Sequence, residues 1–100
     1  MSAPIPDPVI TVTRYSVSCL PPDHCGYRRS IVTIEPRGKN RWTVLCDGWA
    51  HDVNGEPSME PQPSERSAAW LAKHSHDLAT ATVIAENLAR TIARVLLGGA

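Results

Sequence analysis

Residues 9–19 read VITVTRYSVSC, a run of β-branched and aromatic side chains without Gly or Pro, which is the composition of a strand. Before it, residues 1–8 carry Pro4, Pro6 and Pro8, which lack ladder donors and predict an extended arm. After it, residues 20–26 (LPPDHCG) hold the Pro21-Pro22 break and end in Gly26, so they connect elements instead of forming one. A second strand is expected over residues 27–35, and the loop of residues 36–40 (PRGKN) closes a hairpin, Pro36 ending one strand and Gly38 free to take a positive φ. The third strand, residues 41–47, alternates cleanly. Trp42, Val44 and Cys46 share one face, and Arg41, Thr43, Leu45 and Asp47 share the other, which directs Cys46 into the core. Asp47-Gly48 then turns the chain, residues 49–53 add a short fourth strand, and Asn54-Gly55 turns it again.

The pattern changes at residues 56–64 (EPSMEPQPS), where three prolines and no apolar period predict an extended crossing segment from sheet to helices. Ser64 is the expected N-cap of a short helix over residues 65–73, with Ala69 and Trp70 facing inward. Residues 74–77 (HSHD) are poor helix formers, and Ser75 and Asp77 both suit a new start, so a break belongs there. A long helix follows over residues 77–97, where Ala81, Ile84, Ala85, Leu88, Ile92, Val95 and Leu96 recur at three- and four-residue steps and Gly98-Gly99 ends it. A helix of about 20 residues is roughly 30 Å long, so one helix spans such a sheet. The predicted architecture is α+β: a three- or four-stranded antiparallel meander over residues 9–53, then the short and the long helix packed on one face.

Composition narrows the class. A chain of 100 residues has room for one core, and 42% hydrophobic with 20% charged residues lies near globular averages. Formal net charge is +0, which gives no global field for a polyanion or an anionic membrane. Residues 1–8 show neither a basic nor an apolar leader pattern, and no stretch approaches the roughly 20 apolar residues of a membrane span, so the expected compartment is the cytoplasm. Three cysteines, Cys19, Cys25 and Cys46, are too few and odd in number for a disulfide framework, and reduced thiols are expected.

A strand ending in Asp47-Gly48-Trp49, a linker with Glu60, Pro61, Pro63, Ser64 and Arg66, and helices carrying Trp70, Leu71, His74, Asp77 and Leu78 make up residues 47–89. This segment resembles a group of small, functionally uncharacterised proteins of actinobacteria and their phages. The resemblance implies a common lineage and architecture, and it transfers no site.

Three kinds of chemistry compete for the remaining residues. Cys19, Cys25, Cys46 and His24 are ligand types that zinc prefers, but Cys19 and Cys25 are further apart than the usual two to four residues, and Cys46 stands alone. Buried or idle thiols explain them as well. Charge is segregated: Arg14, Arg28, Arg29, Arg37, Lys39 and Arg41 outnumber Asp23 and Glu35 over residues 14–41, whereas Asp47, Asp52, Glu56, Glu60 and Glu65 meet no Lys or Arg over residues 47–65. Arg28, Arg29, Arg37, Lys39 and Arg41 on the hairpin of the second and third strands are candidate phosphate contacts, against the simpler reading of solvated polar faces. Catalysis has least support: His74 and His76 diverge on a helix and read as caps or surface groups, and no phosphate loop, nucleophile elbow or carboxylate pair appears. No cofactor is expected.

The leading expectation is a non-catalytic accessory module that binds an unidentified protein, or a second copy of itself through an edge strand, with Trp49, Glu56 and Glu60 as contact candidates. Nucleic-acid binding through the basic hairpin is the alternative, and a small zinc-stabilised domain the second.

Overall fold

Five strands follow one another across a single antiparallel sheet in chain order: β1 (Tyr15–Val17), β2 (Val32–Pro36), β3 (Trp42–Cys46), β4 (Trp49–His51) and β5 (Pro57–Met59). Among the described residues three helices accompany the sheet, α1 (Tyr27–Ser30) between the first two strands, then α2 (Ala68–His74) and α3 (Leu78–Leu96). The computed structural model describes residues 4–59, 61 and 66–98. The α+β class, with a meander followed by a short and a long helix, is the one read from the sequence, and the sheet has five strands where three or four were expected.

Registers Val17↔Val32, Ile34↔Val44 and Pro36↔Trp42 set Val17, Val32, Ile34, Trp42 and Val44 on one face of the sheet. Across them lies α3, which turns Ala81, Ile84, Ala85 and Ala89 inward, and Val17, Trp42, Leu78, Leu88 and Ile92 pack around the margin of this cluster. Alanines at three of the four central helix positions let the helix backbone come close to β-branched side chains that cannot bend aside. Asp77 starts the helix, its carboxylate accepting the Thr80 N–H at 2.7 Å. Val95, which the period assigns to the apolar stripe, is 73% exposed. As the helix crosses a twisted sheet the buried arc moves round to Ala89 and Ala93, and the last turn leaves Val95 outside.

Several boundaries differ from the sequence reading, each for a local reason. Residues 27–30 are not strand but the single turn of α1, in which the buried Ser30 hydroxyl donates to the Tyr27 carbonyl at 2.6 Å and lies 2.6 Å from the Ser18 hydroxyl. That side-chain bond competes with a ladder for the same backbone. The first strand is three residues long instead of eleven. Arg37 donates its N–H to Arg41 across the hairpin, so the neighbouring Pro36 nitrogen faces β1, where it has no hydrogen to give. Continuing the register back from Tyr15↔Ile34 would set Thr13 against Pro36 and Thr11 against Gly38, where the hairpin has already turned. Residues 9–14 therefore run past the end of the sheet.

Residues 57–59, expected within the crossing segment, form β5 against β4 with Ala50 opposite Ser58. Pro57 opens an edge strand, a position that tolerates a missing donor. The turn before it is held by Asp52, whose carboxylate accepts N–H groups of Asn54 and Glu56. At the β3 to β4 turn Asp47 and Gly48 both take positive φ, 50° and 81°, as the Asp-Gly pair predicts. Cys46, expected in the core, is half-buried at the rim. The proposed cap Ser64 lies outside the described residues. The observed cap of α2 is Ser67, which accepts the Trp70 N–H. Ala69 is exposed instead of packed inward, and the half-buried Trp70 stacks on His74 at 4.4 Å.

The break at residues 74–77 has a structural use. His76 pairs with Trp42 through two backbone hydrogen bonds of 2.7 Å, so the chain enters the plane of the sheet between α2 and α3. Thr43, buried and pointing away from Val44, donates its hydroxyl to the His74 carbonyl at 2.7 Å and ties down the end of α2.

Truncating the core at Ile34→Ala is expected to cost about 2–5 kcal/mol, and enlarging it at Ala85→Leu about 1–3 kcal/mol, both read from denaturant midpoints.

Candidate functional site

The zinc set does not converge. Cys19 and Cys25 are exposed, Cys46 is half-buried, and His24 uses Nδ1 to accept the Gly26 N–H at 2.9 Å. Among the described residues no three His, Cys, Asp or Glu side chains come close enough to hold a metal ion. Burial, with the adjacent Asp47 carboxylate adding to it, pushes the Cys46 thiol above its ordinary pKa.

The basic set is divided by the fold. Arg28 and Arg29 sit on α1, at the start of β2, while Arg37, Lys39 and Arg41 surround the turn at its far end. Five residues of strand, roughly 17 Å, separate the two groups. Arg41 is engaged within the chain: its guanidinium donates to the Ser75 hydroxyl at 3.1 Å and to the Ser75 carbonyl. Arg37 donates to the Pro36 carbonyl. These five residues do not form one phosphate-binding surface, and the expectation that strand two would carry Arg28 and Arg29 into the hairpin is corrected by α1.

Of the protein-contact candidates, Trp49 is 43% exposed on β4 and Glu56 is exposed in the following turn, while Glu60 lies outside the described residues. Trp49 walls a shallow apolar recess of about 350 Å³ with Cys46, Pro57, Leu88 and Ile92.

The histidines read as caps or surface groups are interior. His74 and His76 are buried, and so is His51. Since a carbonyl only accepts, each ring must donate: His51 through Nδ1 to Gly55, His74 through Nδ1 to Trp70, and His76 through Nε2 to His51. His76 lines a polar cleft of about 460 Å³ together with Arg41, Asp52, Lys73 and Asp77. Lys73 lies 3.9 Å from Asp52, Arg41 donates to Ser75, His76 to the His51 carbonyl, and Asp77 accepts the Thr80 N–H. Among the described residues no buried side-chain nitrogen or oxygen lacks a partner, so the cleft acts as a clasp joining the β4–β5 turn, α2 and the start of α3. Sequence offered one signal for this: two histidines in a helix break, which suits a chain that must enter a sheet.

What remains unengaged is at the other edge. Val9, Ile10 and Val12 are 82%, 98% and 50% exposed, and they continue directly into the edge strand β1. The molecule measures 66 × 35 × 23 Å with a radius of gyration of 16.4 Å, against about 13 Å for a compact chain of this length.

No family model matches the chain, and no curated protein or solved structure matches it. Among the described residues no helix is long and apolar enough to cross a membrane.

Two measurements check the clasp and the thiols. Hydrogen bonds from the Glu56 and Asn54 backbone, opposed in part by burial and aided by Lys73 and His74, hold the Asp52 carboxyl below its ordinary 3.8. The stabilisation is therefore complete above that pH and is lost as pH falls through the lower folded value. Asp52→Asn is expected to lower Tm at pH 7, with the gap to the unaltered protein narrowing below about pH 4. Titration with a thiol reagent at pH 8 is expected to show Cys19 and Cys25 reacting fast and Cys46 slowly, because the first two are exposed and burial disfavours the Cys46 thiolate.

Proposed function

We propose that this protein is a non-catalytic interaction module that binds other protein by lending its N-terminal ribbon, residues 9–14, together with the outer edge of β1. The observation that carries this reading is the exposure of Val9, Ile10 and Val12 on a segment that leads directly into β1 yet has no ladder partner. Isolated apolar residues on a surface are ordinary, but a β-branched run with open N–H and C=O groups is a template for strand addition. Backbone hydrogen bonds supply affinity in that mode, and alternate side chains supply selectivity.

The polar cleft supports the same reading by what it is used for, since its titratable groups are engaged within the fold: Lys73 with Asp52, Arg41 with Ser75, His76 with the His51 carbonyl and Asp77 with the Thr80 N–H. Three free thiols, two of them exposed, suit a reducing compartment, and the proposal places the module in the cytoplasm.

The test compares the full chain with a Val9→Ser, Ile10→Ser, Val12→Ser variant as bait, both in cross-linking and in recovery from lysate. The three side chains are exposed, so the variant is expected to keep the wild-type Tm and to lose what the wild type retains. Equal recovery by the two baits sinks the reading.

A further inference from the structure

We infer that the partner of the ribbon is the same ribbon on a second copy of this chain, joined antiparallel about a two-fold axis through Thr11. The inference rests on the strand-lending reading above and gives it an occupant and a register.

The outer edge of the ribbon is continuous with the open edge of β1, whereas its inner edge runs into the side that β2 occupies. Tyr15 pairs with Ile34 through groups that face β2, so along an extended chain Thr13, Thr11 and Val9 direct their N–H and C=O groups to the same side. Arg14, Val12 and Ile10 direct theirs outward. A second ribbon laid on the outer edge therefore exchanges hydrogen bonds at Ile10 and Val12.

The side chains then select the register. With Thr11 opposite its own copy, Ile10 faces Val12 of the second chain and Val12 faces its Ile10, bringing four apolar side chains together on one face. The other face holds Thr11 against Thr11 and Val9 against Thr13, all β-branched. Moving the centre to Val12 sets Ile10 against Arg14, and moving it to Ile10 sets Val12 against Pro8, which has no donor. A centre between residues sets Ile10 or Val12 against threonine and divides the apolar cluster. Pro8 ends the ladder on each side.

The alternative acceptors on a second copy are poorer. The β5 edge offers three residues, the first of which is Pro57, and the recess at Trp49 is shallow and has no strand edge of its own for the ribbon to pair with. Either would also join two different surfaces, a contact that does not by itself fix the number of copies, whereas the pairing about Thr11 is self-complementary and closes at two. Because the ribbon overruns the hairpin, the two folded bodies stand at opposite ends of the shared ladder.

The experiment uses the full chain. Light scattering coupled to size exclusion, over a rising concentration series, is expected to show a monomer passing to a dimer and no further. Val12→Pro removes an outward donor at two symmetric places and is expected to weaken the dimer about tenfold or more with Tm of the monomer unchanged. In a Cys19→Ser, Cys25→Ser background, Thr11→Cys occupies a pair without mutual hydrogen bonds, whose close β-carbons accept a disulfide. It is expected to give a covalent dimer under mild oxidation, and Thr13→Cys, which faces Val9, is not. A monomer at every concentration, species that keep growing, a dimer indifferent to Val12→Pro, or equal cross-linking at residues 11 and 13 each overturns the inference. If the serine variant still loses a foreign protein from lysate while the chain stays monomeric, only the self-pairing fails; if neither is seen, the strand-lending reading fails with it.

Discussion

The seating of α3 on Val32, Ile34 and Val44 is the constraint on which the rest of this structure depends. These three residues and the alanines above them make up the centre of the core, and the remaining apolar side chains close its margin. A small chain has little other surface to bury. Once α3 is in place its N-terminus is fixed over Trp42, and the residues before it must approach from the sheet. The two backbone bonds between His76 and Trp42 are that approach, and they fix where α2 can end.

The buried histidines follow from the same geometry. A chain passing through the plane of a sheet carries polar backbone and side chains with it, and each must find a partner inside the protein. His76 reaches the His51 carbonyl, His51 the Gly55 carbonyl and His74 the Trp70 carbonyl, so three titratable rings serve as struts. Asp52 and Asp77 serve as a turn holder and a helix cap. The densest collection of chemistry-bearing side chains is in this way engaged by the fold, and Val9, Ile10 and Val12 before β1 stay exposed.

That division separates the two edges of the sheet. On the β5 side the edge is short, opens with proline and follows a well-bonded turn. On the β1 side the ladder stops because Pro36 has no hydrogen for it, and the strand-forming sequence continues regardless. The same proline that limits pairing within the chain leaves residues 9–14 able to pair outside it.

Much of this was legible in the sequence wherever one residue's neighbours along the chain decide its structure. The alternation from Trp42 to Cys46, the Asp47-Gly48 turn, the helix period from Ala81 to Ile92 and the break at residues 74–77 all reappear, because side-chain period and turn chemistry are local properties. The candidate sites were not legible in the same way. Whether Arg28 and Arg29 stand beside Arg37 depends on a helical turn stabilised by Ser18 and Ser30, which are far apart in sequence. Whether His74 and His76 are wet or buried depends on Trp42 and Thr43. Whether VITVTRY is a strand depends on a proline more than twenty residues later. Composition and period determined that this chain makes a meander and covers it with a helix; only the tertiary structure decided where each ladder stops, because a β hydrogen bond needs a donor from another part of the chain.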